Sequence, residues 1–473
     1  MRDIVHWLDN HYGQAVEDLR ALVAVPSIST DGEHAAEIDR SAELVSALMQ
    51  RAGLEHVQIL RQPGSYPYVY GDWLHAPDRP TLFLYAHHDV QPVNYLEQWQ
   101  SDPWQLTRRD GRLYGRGAAD DKGAIVAHLA AVAAFLKVRG ALPINVKVLV
   151  EGEEEVGSRH LMEFFRNYRH QIQADCVVVT DTENLQSGLP SLTYSLRGIV
   201  AALVEVEALE RPVHSGMGGG LLPDAALALD VILARLYWDN GRIPSAAFYK
   251  RVRRVSASEK KMFARLPRND RRLRSEFGLL PGVRWANMKN VSPYEQTWRW
   301  PAVTVIAQEA SSLRSASNQV LPKAAAIVSV RIVPDQRPAE VFAALKSLLT
   351  QDPPWGVKVR VTPYGPPVCW WMTDPQGPAF QAALQALEAG YGRKPIAIGC
   401  GGTIGFVGPL TELLGNVPAL LLGIEDPLSY AHAPNESLCE DDFRKLQASL
   451  AHLFERLGAL TPDEVAGRRK KRR

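Results

Sequence analysis

Cysteine is scarce: four residues in 473, Cys176, Cys369, Cys400 and Cys439, set far apart and forming no CxxC pair. That spacing supports neither a zinc-thiolate cluster nor a disulfide framework, and it leaves free thiols suited to a reducing compartment. No apolar run approaches the length of a membrane span. The N-terminal Met1-Arg2-Asp3-Ile4-Val5-His6 lacks the basic-then-apolar layout of a signal peptide. A cytoplasmic protein with no membrane partner is expected. An excess of one charge is missing as well, since the net charge is +1. The six residues from Arg468 to Arg473 are all basic, and removing their +6 leaves −5 for residues 1–467. The folded body is therefore mildly acidic, and the tail reads as a solvated end without aromatic neighbours. A second basic stretch, Lys250 to Arg274, is interleaved with Val252, Val255, Met262, Phe263 and Leu266, as on the solvated face of core-packed helices. Nucleic acid is not an expected partner.

What is present begins with length. A chain of 473 residues exceeds what one hydrophobic core organises, so two domains are expected. Between residues 80 and 200, strand-like runs at Thr81 to Tyr85, Ile144 to Val150 and Cys176 to Thr180 alternate with helical segments such as Ala124 to Val138. This alternation predicts an α/β fold with a mostly parallel sheet flanked by helices. Near Arg197 the pattern changes to an α+β unit: strand Gly198 to Glu207, helix Asp224 to Trp238, strand Ala324 to Val333, helix Pro338 to Leu349. After Cys369 the alternation returns with helix Gly377 to Ala389, strand Pro395 to Ile398, helix Thr403 to Leu414, strand Ala419 to Gly423 and helix Glu440 to Leu457.

The chemistry-bearing residues sit at the ends of these apolar segments. Leu84-Tyr85-Ala86-His87-His88-Asp89-Val90 ends the first strand in imidazole and carboxylate, and acidic groups follow at Asp120-Asp121, Glu153-Glu154-Glu155 and Asp181, with His432 near the C-terminus. Singly, each reads as a satisfied polar residue or solvated surface. Together, in this order, they form the donor set a two-metal hydrolase needs. A ligand as distant as His432 requires one catalytic domain interrupted by another.

His87-His88-Asp89, the runs 115–123 and 151–158, Asp181, His214-Ser215-Gly216 and Ala431-His432-Ala433 resemble metallopeptidase family M20, in particular its cytosolic dipeptidase branch that includes carnosinase, over about residues 15–457. The resemblance implies a catalytic domain split around an inserted α+β lid that also dimerises: 1–197 and 370–460 catalytic, 198–369 lid, 461–473 a basic tail. It implies two divalent ions, with Asp120 bridging them, His87 and Asp181 completing one site, and Glu155 and His432 the other. All five donors are N or O, which suits Zn²⁺, Mn²⁺ or Co²⁺. Glu154 is expected as the general base on a bridging water, and Asp89 as the carboxylate that fixes the His87 tautomer. Glu153 and His88 are not expected to take part, and the Asp120-Asp121 bond is expected to be cis. His214 is implied as an oxyanion donor acting across a homodimer, Asn318 and Arg331 as holders of a terminal carboxylate, and Thr403 as a donor at a helix start.

One departure stands out. Where the dipeptidase branch has Arg-Glu before Gly-Gly-Ser/Thr, this chain has Gly399-Cys400, so specificity can differ while catalysis persists. The expected function is metal-dependent hydrolysis of dipeptides or short peptides. The alternatives are an N-acyl-amino-acid deacylase of the same superfamily and a non-catalytic scaffold, the latter opposed by the presence of every ligand and of Glu154.

Overall fold

The computed structural model describes residues 1–237, 241–267 and 270–468; Trp238 of the expected helix and Arg469 to Arg473 of the tail lie outside them. The chain divides into two compact units, one formed by Met1–Tyr194, Thr373–Ile398 and the chain from Phe406 on, the other by Ser195–Met372 and Gly399–Gly405.

At the centre of the first unit, four parallel strands run in the order Asn145–Glu151, Thr81–His87, Cys176–Glu183, Ala419–Glu425. Antiparallel strands flank them, Tyr68–Trp73 and then Glu55–Leu60 on one side and Ser191–Leu196 on the other. The central runs are continuous rather than alternating, because helices cover both faces: Leu82 to Ala86, Val148 to Val150 and Leu420 to Leu422 are all buried. The Ala-rich helix Lys122–Arg139 is buried over most of its length and stops at Gly140, whose φ of 70° supplies the left-handed cap. Helices Arg2–Val23, Ala35–Ala52, Pro378–Tyr391 and Glu440–Gly458 complete the layers.

The second unit carries a four-stranded antiparallel sheet, ordered Ala302–Glu309, Lys323–Ile332, Gly198–Glu207, Lys358–Pro363. Gly198–Glu207 alternates buried and half-buried positions, and its buried Val200, Ala202, Val204 and Val206 join Leu229, Ile232 and Leu345 of helices Ala225–Leu233 and Pro338–Thr350 in one core. Asp224 caps the first of these helices by accepting from the amides of Ala226 and Leu227. The α-helix ends at Leu233 and passes into a 3-10 turn, Ala234–Leu236, shorter than the expected run to Trp238. The basic stretch forms Ala257–Arg265, started by a Ser256/Glu259 capping box, and Asp270–Glu276; Phe263, Leu266 and Leu273 are buried beneath its charges.

Candidate metal centre

Parallel strands bring their carboxyl ends to one edge of the sheet, where ligands gather. His87 ends its strand there, in register with Glu151 of the neighbouring strand. Glu154 and Glu155 follow that neighbour in a 3-10 turn, Glu154–Val156. Asp181 lies near the end of the next strand, and the last strand runs into the loop that carries His432 at φ 64°. Asp120 stands two residues before helix Lys122–Arg139, and its bond to Asp121 is cis, as the sequence resemblance implied.

The side chains converge on Asp120. His87 Nε2 is 2.9 Å from Asp120 Oδ1 and 4.0 Å from Asp181 Oδ1. His432 Nε2 is 2.9 Å from Asp120 Oδ2 and 3.2 Å from Glu155 Oε2. Two donor groups of metal-binding dimensions result, His87/Asp120/Asp181 and Asp120/Glu155/His432, sharing only Asp120. At His87, Nδ1 faces the Asp89 carbonyl at 3.0 Å, and a carbonyl can only accept, so Nδ1 carries a proton and Nε2 is the nitrogen turned toward Asp120. The Asp89 carboxylate lies farther from Nδ1, at 3.4 Å. It also accepts from the amides of Glu154 and Glu155 and the Ser29 hydroxyl. Asp89 thus meets the His87 ring through its backbone carbonyl and its carboxylate, and holds the glutamate turn through the same carboxylate.

Electrostatics mark the same point as one that favours positive charge. Burial alone would raise the Asp120 pKa, but hydrogen bonds from His432 and His87 outweigh it and hold the carboxyl well below the usual range. Asp120 and Glu155 in turn draw His432 up to about 11. Burial lifts Glu154 to about 7, with His87 opposing and Glu155 and Asp120 adding to the rise. Among the described residues the Glu154 carboxyl has no hydrogen-bond or ion-pair partner, while Glu155 is held by Gln91 at 2.8 Å. The donor set is wholly N and O, arranged around one shared carboxylate, and fits a pair of borderline or hard divalent cations.

Residues 83–456 match the sequence profile of peptidase family M20/M25/M40. The chain belongs to family M20. It is similar to the cysteinylglycine-S-conjugate dipeptidase of Corynebacterium striatum, with 32% identity over 89% of this chain and 90% of that protein. Its fold is that of human carnosine dipeptidase 1, at a TM-score of 0.82 and 24% identity over 97% and 99% of the two chains. The M20 metallo-carboxypeptidase Sso-CP2 of Sulfolobus solfataricus matches at a TM-score of 0.80 and 26% identity over 94% and 99%. The chain is therefore an enzyme of the M20 metallopeptidases, on their dipeptidase side.

Several supports of this M20 centre have no signal in the sequence. Glu436 is fully buried, pairs with Arg116 at 2.7 Å, and accepts from the amides of Gly117, Ala119 and Asp120, so it clamps the loop that presents the shared carboxylate. Asp121 accepts from the His87 amide. His88 points away to the Pro67 carbonyl, and Glu153 is consumed by Tyr68 and by the amide and ring of His160. A third acid and thiol grouping, Asp426/Cys439/Asp442, has its carboxylates engaged by Arg112 and by backbone amides.

All four expected substrate contacts lie in the second unit, in two pairs. His214 and Asn318 meet on the two-stranded ladder of Val213–His214 with Gln319–Val320, where the Asn318 carbonyl accepts from Ser215 N, and both side chains are exposed. Arg331 donates from Nη1 to the Thr403 hydroxyl at 2.6 Å. Thr403 does not start a helix as expected: the helix is Val407–Leu413. Its hydroxyl instead donates to the Arg197 carbonyl at 2.7 Å, and Gly405, a poor helix former, follows before the helix begins.

Proposed function

We propose that this M20 enzyme hydrolyses the peptide bond of dipeptides and short peptides with two divalent ions, held by His87, Asp120 and Asp181 and by Asp120, Glu155 and His432. The observation that carries the reading is Asp120, each of whose oxygens faces a different histidine backed by a different acid. Zn²⁺, Mn²⁺ and Co²⁺ all suit the donors. Two such ions, when bound, would supply an acidified water and a polarised substrate carbonyl. Glu154, unpaired beside the cluster, takes the proton of the attacking water and delivers it to the leaving amine nitrogen. Arg331 and Asn318 receive the C-terminal carboxylate, and Thr403 fixes the Arg331 guanidinium. A cytoplasmic location fits the four free thiols.

The working form is a homodimer in which His214 serves the partner's metal centre. An edge strand supports it: among the described residues Ala302–Glu309 pairs on one side only, and it exposes Val305 and Ile306, while helix Ala225–Leu233 exposes Leu227 and Val231. Gln308 on the strand donates to Asp230 on the helix at 2.6 Å, joining the two into one apolar face of the kind that mates with another chain.

The test is hydrolysis of a panel of dipeptides, their C-terminal amides and N-acyl amino acids by metal-reconstituted protein. Dipeptides with a free carboxylate should be cleaved fastest, and Arg331→Ala should raise KM for them far more than for the amides. Preference for N-acyl amino acids would instead make the protein a deacylase.

A further inference from the structure

Arg197 and Arg331, both in the second unit, are half-buried arginines that meet no carboxylate among the described residues. Arg331 Nη1 donates to the Thr403 hydroxyl, and Arg197 Nε donates to the Gly401 carbonyl at 3.0 Å. Thr403 also donates to the Arg197 main-chain carbonyl, so one side chain ties the Arg331 guanidinium to the Arg197 backbone. Gly401 makes room: a Cβ there would stand 3.0 Å from Arg197 Nη2. Among the described residues, the ionisable groups close enough to act on Arg197 are Arg331 and the Cys400 thiol, and the same thiol acts on Arg331; its sulfur accepts from Gly402 N at 3.2 Å. Burial first, and then repulsion by Arg331, pushes Arg197 down to about 10.

Two like charges held together in partly desolvated surroundings are relieved by anions. Each guanidinium has five N–H donors, and among the described residues only one on each is engaged in a hydrogen bond, so the pair offers more donors than a single carboxylate can accept. We infer that this site selects substrates whose C-terminal residue carries two carboxylates, the α-carboxylate on Arg331 and the side-chain carboxylate of aspartate or glutamate on Arg197. The inference rests on the reading of Arg331 given above and makes Arg197 a specificity-determining residue.

L-Alanyl-L-glutamate and L-alanyl-L-glutamine are nearly isosteric and differ by one charge. Metal-loaded, full-length protein should give a kcat/KM about tenfold or more higher for the acid, expressed mainly in KM, as expected for a charge-assisted contact. Arg197→Gln should bring the ratio close to one, and Arg197→Lys should keep much of it. Cys400→Asp, which places a carboxylate between the guanidiniums and leaves both arginines intact, should lower it. A wild-type ratio at or below one, with the glutamine dipeptide cleaved, overturns the two-carboxylate site and leaves the dipeptidase reading standing. If neither dipeptide is cleaved, that reading fails instead, and calorimetry with free L-glutamate and L-glutamine decides the site. Tighter glutamate binding then supports it, and equal or weaker binding overturns it.

Discussion

Glu153, Glu154 and Glu155 are identical in side chain and adjacent in sequence, yet the turn that carries them sends each into different surroundings. Glu153 is buried against Tyr68 and His160, Glu155 meets His432, and the Glu154 carboxyl has no hydrogen-bond partner among the described residues. Replacing Glu154 with Gln should therefore leave metal content intact while lowering kcat by about 10²–10⁴-fold, the usual scale for a general acid–base group. Glu155→Gln should instead lose metal. Parallel elemental analysis and steady-state kinetics on the two variants check the assignment, and loss of metal in Glu154→Gln would exchange their roles. These residues were legible because acids and histidines at strand ends, in this order, are chemically conspicuous. Glu436 was not: its clamp on the Asp120 loop spans more than 300 residues of chain, and nothing local distinguishes it from a solvated acid.

Secondary structure followed the sequence most closely where burial is uniform. The apolar runs at residues 81, 145, 176 and 419 each became a central strand, extended by a few residues into the polar segment that bears the chemistry. Pattern reading failed at Thr403, where apolar periodicity suggested a helix but Gly405 and the bonds of Thr403 to Arg331 and Arg197 hold a loop. The helix Lys122–Arg139 also hides a charge-sensitive core position. His128 is fully buried, meets the Thr180 hydroxyl at 2.8 Å, and burial lowers its pKa to about 3. The unfolded chain takes a proton on this ring below its ordinary pKa of about 6.5 and the folded chain does not, so stability is present above that value and lost as pH falls from it toward 3. The contribution is about 1.4 kcal/mol per pH unit across that window. Denaturant unfolding at pH 7, 6 and 5 should show this slope, and His128→Gln should flatten it by about that amount.

Across the whole molecule, the candidate ligands and the candidate substrate contacts fall in different compact units, with the ligands drawn from both ends of the chain and the contacts from its middle. The distance of His432 from the other candidate ligands pointed to this division, whereas the exposure of Val305 and Ile306 on the edge strand and of Leu227 and Val231 on helix Ala225–Leu233 had no signal in the sequence. If His214 serves a partner's centre, mixing inactive His214→Ala with inactive Glu154→Gln protein and allowing subunits to exchange should restore about a quarter of wild-type activity, since half the dimers are mixed and each holds one intact site. Verified exchange without recovery would place His214 in its own subunit's chemistry or outside it. The claim beneath all of this is that a shared Asp120 carboxylate organises two ions for peptide hydrolysis. It is tested most directly by following dipeptide cleavage as Mn²⁺, Zn²⁺ or Co²⁺ is added back to chelator-stripped protein, with bound metal measured at each step. Activity absent from the stripped protein and rising to a plateau at two ions per chain is the predicted result, and undiminished hydrolysis by protein proven free of metal would contradict it.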